Sequence, residues 1–174
     1  MTDKYAVIGN PIAHSKSPQI HKMFAEQTGE DISYERIEAP LDGFAAKVDE
    51  LRAIGYKGCN VTVPFKENAF QLCMTGGNSF SDYVYDAKAA NALKFSAGKI
   101  HAENTDGIGL VRDLEKNLNI DFKGKQLLLI GAGGAAKGVL FPLRQALRQV
   151  NGNITATNRT IERIRHLTDR KSVV

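Results

Sequence analysis

The 174-residue sequence is long enough for one large or two small domains, and with 43% hydrophobic and 24% charged residues it has the composition of a soluble chain able to bury a core. A net charge of +4, with Lys and Arg spread along the chain except near its C-terminus, does not demand nucleic acid, and no segment approaches the ~18 apolar residues of a membrane span. Cys59 and Cys73 are too few for a zinc site of their own, and residues 1–4 run into a strand pattern without a cleavable signal, so a cytoplasmic protein with buried thiols is expected.

Residues 5–9 (YAVIG) form a short buried-strand pattern, and the loop after it, residues 10–18, is dense in turn formers and hydroxyls. Ser17 is placed to cap a helix that has Pro18 at its first position and Ile20, Met23 and Phe24 as an apolar stripe. Ser15 and Ser17, two apart beside Lys16, offer a second reading, in which both hydroxyls hold a small anion such as a carboxylate.

Residues 33–39 read as the next strand and residues 41–54 as a helix with Phe44, Val48 and Leu51 inward, ended by Gly55. Residues 59–63 (CNVTV) continue the βαβ rhythm and are stopped by Pro64. Lys66 therefore stands at the C-terminal end of a strand, where open α/β sheets place ligands, although a surface lysine is the ordinary reading.

The second half centres on residues 126–138 (QLLLIGAGGAAKG), a strand, a tight turn and a helix. The unbroken apolar run 127–130 is what a parallel strand covered on both faces requires. In the G-x-G-x-x-A spacing, Gly131 takes the angles of the turn, Gly133 lets a pyrophosphate approach the backbone, and Ala136 permits close helix packing. Ala135, Val139, Leu140, Leu143 and Leu147 recur at helical intervals from Gly134 to about Gln149, so the free N–H groups of the helix start would meet phosphates. Residues 153–157 (NITAT) read as the next parallel strand, followed by Asn158, Arg159 and Thr160 where an acidic ribose ligand would serve NAD. Arg159 and Arg163 instead offer guanidinium groups to a 2′-phosphate, which favours NADP, the alternative being a glycine turn with solvated arginines.

The motifs Gly9-Asn10-Pro11, Ser15-Lys16-Ser17-Pro18, the run NVTVPFK from Asn60 to Lys66, Asn104-Thr105-Asp106-Gly107, GAGGAA and Asn158-Arg159-Thr160 occur together in this order. In this the sequence resembles shikimate dehydrogenase over residues 5–163. The resemblance implies an α/β protein with an N-terminal substrate-binding domain (residues 1–105) followed by an incomplete Rossmann-type NADP-binding domain (residues 106–174), the active site lying in the cleft between them. It implies reversible reduction of 3-dehydroshikimate to shikimate by NADPH, within aromatic amino-acid biosynthesis and without a metal. By the same resemblance Lys66 and Asp106 are the catalytic pair, and Ser15, Ser17, Thr62 and Asn91 join them in contacting substrate. Gly131, Ala132, Gly133, Gly134, Ala135, Asn158, Arg159, Thr160 and Arg163 would hold NADP, with Asp82 the counterpart of an acidic residue near the nicotinamide. A lysine beside a carboxylate suits this chemistry, because it stabilises a developing alkoxide and passes a proton. Asp106 is expected to open a helix over residues 106–118, whose dipole favours its charged form, or to act there as a simple N-cap.

The segment 74–81 is longer than the family's usual connection, and Ala92 stands where threonine is usual, which implies a looser site. Only two strands are read in residues 127–174, where a mononucleotide-binding half needs three, so a C-terminally truncated member is expected, with exposed apolar faces that favour association such as a homodimer. The further expectation is little or no turnover by these 174 residues, with weak shikimate binding retained. A substrate-binding remnant without turnover and a quinate-active relative are the alternatives.

Overall fold

Ala6, Val7 and Ile8, none more than 2% exposed, make β1 (Asp3–Gly9) an interior strand. The computed structural model describes residues 2–160, 162, 164 and 165, so Arg163 lies outside the described residues. One compact unit contains residues up to Ser81 together with Ala89–Glu103, and the other contains Asp82–Lys88 and the described residues from Asn104 onward.

In the first unit β1 is followed by α1 (Ser17–Thr28), β2 (Ile32–Glu38), α2 (Phe44–Ala53), β3 (Tyr56–Val61), α3 (Lys66–Cys73), β4 (Ser79–Phe80), β5 (Ala92–Ser96) and β6 (Lys99–Glu103). These strands form one sheet in the order β2-β1-β3-β5-β6-β4. β1 runs parallel to β2 and β3, β5 is antiparallel to both β3 and β6, and β4 is parallel to β6. The expected βαβ rhythm is thus present, with an antiparallel hairpin added at one side. Phe44, Val48 and Leu51 of α2 are buried as read, and Phe44 stacks on the buried Phe65 with ring centroids 5.1 Å apart.

Three expectations for this unit change. Ser17 is the first residue of α1 and does not cap it; the N-cap position is Lys16 and makes no side-chain cap bond, because the Ser17 backbone N–H donates to Ser15 Oγ instead. The stripe of α1 faces outward, with Ile20, Met23 and Phe24 45%, 58% and 53% exposed, since no second layer among the described residues of this unit covers that side. β3 ends at Val61 and Val63 is exposed: Thr62 still donates to the Ile8 carbonyl, but Pro64 has no N–H with which to continue a ladder. The long segment after α3 is tied in by Asn78, whose amide donates to the Leu72 carbonyl while its Oδ1 accepts the Ile100 N–H at 2.9 Å.

The second unit contains α4 (Asp82–Ala87), α5 (Asp106–Arg112), a π-helical turn (Asp113–Asn117), β7 (Gln126–Ile130), α6 (Gly134–Arg148) and β8 (Asn153–Thr157). β7 and β8 pair in parallel, in register from Gln126 with Asn153 to Ile130 with Thr157. Phe122, Leu143 and Leu147 are its most buried core, with Leu110, Leu127, Val139 and Ile154 packed against them. The helix expected over 106–118 is α-helical only to Arg112 and then widens, with Leu118 N–H bonding the Asp113 carbonyl. Among the described residues β7 is covered on one side only, as expected of an incomplete nucleotide-binding half and unlike the doubly covered strand its apolar run suggests: Leu127 and Leu129 are half-buried, whereas Leu128 and Ile130 are 60% and 78% exposed. On α6, Ala136 rather than Ala135 faces inward, together with Gly138, Pro142, Leu143 and Leu147.

Candidate active site

β1 and β3 are parallel and β5 is antiparallel to β3, so the segments after β1 and β3 and the segment before β5 all lie at one end of the first unit's sheet. Ser15 and Ser17 come from the first of these segments, Thr62 and Lys66 from the second, and Asn91 from the third. The loop after β1 is fixed at several points. Asn10 donates its backbone N–H to the Val63 carbonyl and its side-chain amide to the Ala39 carbonyl at 2.9 Å. Arg36 of β2 donates to the Ser15 carbonyl at 2.8 Å. Ser15 Oγ and Ser17 Oγ lie 3.2 Å apart, both half-buried, so two hydroxyl donors stand side by side on an anchored loop.

Thr62 packs over Gly9, where any Cβ would come within 2.7 Å of its methyl group. The turn after Thr62 closes when Phe65 N–H donates to its carbonyl at 2.9 Å, and the buried Phe65 ring then sets the start of α3. Lys66 is the first residue of that helix, half-buried, with its carbonyl accepting the Ala90 N–H. Asn91 is held from both sides: its N–H donates to the Glu103 carbonyl and its own carbonyl accepts the Val61 N–H at 2.8 Å and the Asn60 amide at 3.2 Å.

The nucleotide-loop residues fall in the second unit. Gly131 has φ +115°, which a side chain resists, and its N–H donates to the Thr157 carbonyl at 2.7 Å, binding the turn to the end of β8. Gly133 and Gly134 have open space where a Cβ would stand, so nothing within this unit requires glycine there. That open cradle leads into the uncapped N-terminus of α6, and both features fit a pyrophosphate. Ala132 is buried, and Ala135 lies exposed on the first turn of α6. After β8, Asn158 donates to the Thr160 carbonyl at 2.9 Å, closing a turn from which Arg159 is exposed; Arg163 lies outside the described residues. Asp82 is the exposed first residue of α4, and Asp106 is the half-buried first residue of α5.

Asn104, 1% exposed, accepts the Asp106 N–H on its Oδ1 at 3.2 Å and so caps the turn from which Asp106 projects. Asp106 is therefore not itself the cap. Asn60 and Tyr34 are equally integral to their unit, with the Tyr34 hydroxyl donating to Asn60 Oδ1 at 2.6 Å and the His21 ring stacked on Tyr34 at 4.1 Å. The sequence offered a signal for Asn104 and Asn60, since both lie inside the quoted motifs. Tyr34, in an ordinary strand pattern, offered none.

The family model for the shikimate dehydrogenase substrate-binding domain matches residues 7–93. The chain is 50% identical over 161 residues to the NADP(+)-dependent shikimate dehydrogenase of Methylobacillus flagellatus, an alignment covering 92% of this chain and 57% of the relative. Among solved structures it is similar to an Ael1 enzyme from Pseudomonas putida, with TM-score 0.86, 44% identity and coverage of 98% of this chain and 61% of that one. It is similar also to the shikimate 5-dehydrogenase of Thermus thermophilus in complex with NADP(H) and shikimate, with TM-score 0.83, 32% identity and coverage of 97% and 60%. The chain thus spans a little over half the length of the curated relatives it matches. With the substrate-domain model satisfied across half of its residues and the fold agreeing, the chain belongs to the shikimate dehydrogenase family.

Proposed function

We propose that the first unit binds shikimate and 3-dehydroshikimate, and that the reaction served is their reversible interconversion with NADP as redox partner. The convergence of Ser15, Ser17, Thr62, Lys66 and Asn91 at one end of a sheet carries this reading. The paired serine hydroxyls suit a carboxylate, and Thr62 and Asn91 suit ring hydroxyls. Lys66 supplies a cation and a proton to the oxygen of the ketone as it becomes an alkoxide, and Asp106 is its carboxylate counterpart in the acid–base pair. When bound, the nicotinamide supplies or accepts the hydride at the ring carbon. Gly131, Ala132, Gly133, Gly134 and Ala135 would line its pyrophosphate, and Asn158, Arg159, Thr160 and Arg163 its 2′-phosphorylated ribose. Asp82 is assigned to the nicotinamide side.

The test is shikimate-dependent NADPH formation, measured together with shikimate binding, in a form extended to the length of its relatives and in the Lys66→Ala variant of that form. Lys66→Ala is expected to lower turnover by ~100- to 10,000-fold while changing affinity little. A loss confined to affinity would show that Lys66 only holds substrate.

A further inference from the structure

Tyr34 on β2 is level with Tyr5 of β1, and Asn60 on β3 is level with Val7, two residues further along. Tyr34 and Asn60 therefore share one face of the sheet, and the phenol reaches across β1 to Asn60 Oδ1 at 2.6 Å. The Asn91 carbonyl can only accept, so the atom of Asn60 facing it at 3.2 Å is Nδ2, which leaves Oδ1 for Tyr34. His21 stacks its ring on Tyr34, 7° from parallel, with the ring centroids 4.1 Å apart. The donors thus run in one direction, from Tyr34 to Asn60 to the Asn91 carbonyl. Burial holds the phenol protonated and the imidazole neutral, so the chain of donors persists through the neutral pH range.

We propose that Tyr34 and His21 are positioning residues for substrate: the phenol, backed by the His21 ring, locks the Asn60 amide and, through it, holds Asn91 in place at the site. This rests on the reading of the site as a shikimate site. Neither residue is asked to touch the reacting atoms.

The experiment uses the 174-residue chain with wild type, Tyr34→Phe, His21→Ala and, as control, Tyr56→Phe, which removes a hydroxyl bonded to Glu35 at 3.0 Å. The Asn60 side-chain amide resonances, assigned by their disappearance in Asn60→Asp, are followed by NMR without ligand, and shikimate affinity is followed by calorimetry. Tyr34→Phe is expected to move those resonances and to weaken shikimate by roughly tenfold, the loss of one net hydrogen bond, with no fall in the melting temperature that Tyr56→Phe does not share. His21→Ala removes the ring that backs the phenol and is expected to move the resonances too, so it decides the matter should Tyr34→Phe not fold. Unmoved resonances, or wild-type affinity in both Tyr34→Phe and His21→Ala, would overturn the proposal. Absence of binding by wild type would overturn the site reading along with it, and differs visibly from the case in which wild type and variants bind equally.

Discussion

Gly107 of α5 stands closer to Pro142 of α6 than any side chain at 107 would allow: a Cβ there would lie 2.4 Å from Pro142 Cγ and 2.5 Å from the Gly138 carbonyl oxygen. The glycine after Asp106 is thus a packing requirement of the second unit. Gly107→Ala is expected to destabilise that unit by roughly 1–3 kcal/mol, because neither the ring nor the carbonyl can yield cheaply. Gly109, on the same helix, faces open space, so Gly109→Ala is expected to be neutral or to stabilise by about 0.5–1 kcal/mol. Urea denaturation of the two variants compares them directly, and equal effects would contradict the packing account.

The hairpin joining β5 and β6 turns through Ala97 and Gly98, both with positive φ, at 49° and 74°. Two left-handed residues make the turn that suits the twist of the strands, and alanine is poorly suited to the first position. Ala97→Asn is expected to raise stability by roughly 1 kcal/mol, since a left-handed alanine costs ~1–2 kcal/mol and asparagine tolerates that conformation better. A decrease in the unfolding midpoint would contradict this.

Cys59 and Cys73 are 5% and 1% exposed, and burial pushes their thiols up to about 12 and about 11. Both are therefore thiols and not thiolates at neutral pH, and inert ones. Neither is expected to react with an alkylating reagent at pH 8 while the chain is folded, and both are expected to react once it is denatured. Rapid labelling of the native chain would contradict their placement.

Burial lowers the His21 imidazole below its ordinary 6.5, with the neighbouring Asn60 amide opposing the shift. As pH falls, the unfolded chain takes up its proton first, so the contribution of neutral His21 is complete above that ordinary value and is lost as pH falls through it towards the folded value. His21→Gln is expected to flatten the fall of stability between about pH 7 and 5 relative to wild type. An unchanged slope would show that His21 titrates as it does in the unfolded chain.

Much of the fold could be read directly from residues 5–9, 126–138 and 153–157, because apolar runs ended by glycine constrain both strand and turn. The covering of α1 remained illegible, because periodicity marks Ile20, Met23 and Phe24 as one face of a helix but does not say whether anything packs against it. The bare face of Leu128 and Ile130, by contrast, followed from counting strands against what a nucleotide-binding half needs. The serine pair was legible as a hydroxyl cluster, whereas Tyr34 was not, because its role depends on reaching across β1 to Asn60. Asn104 was visible in its motif, but its burial against α6, with its amide 3.3 Å from where a Gly138 Cβ would stand, follows only from tertiary packing.

The central claim is that the sheet end carrying Ser15, Ser17, Thr62, Lys66 and Asn91 is a shikimate site, and calorimetric titration of the 174-residue chain with shikimate tests it most directly. The account predicts saturable binding that weakens by at least about tenfold when Ser15 and Ser17 are both replaced by alanine, as expected when two hydroxyls no longer meet a carboxylate. Absence of binding by the folded wild-type chain, or binding that the double replacement leaves unchanged, would contradict it.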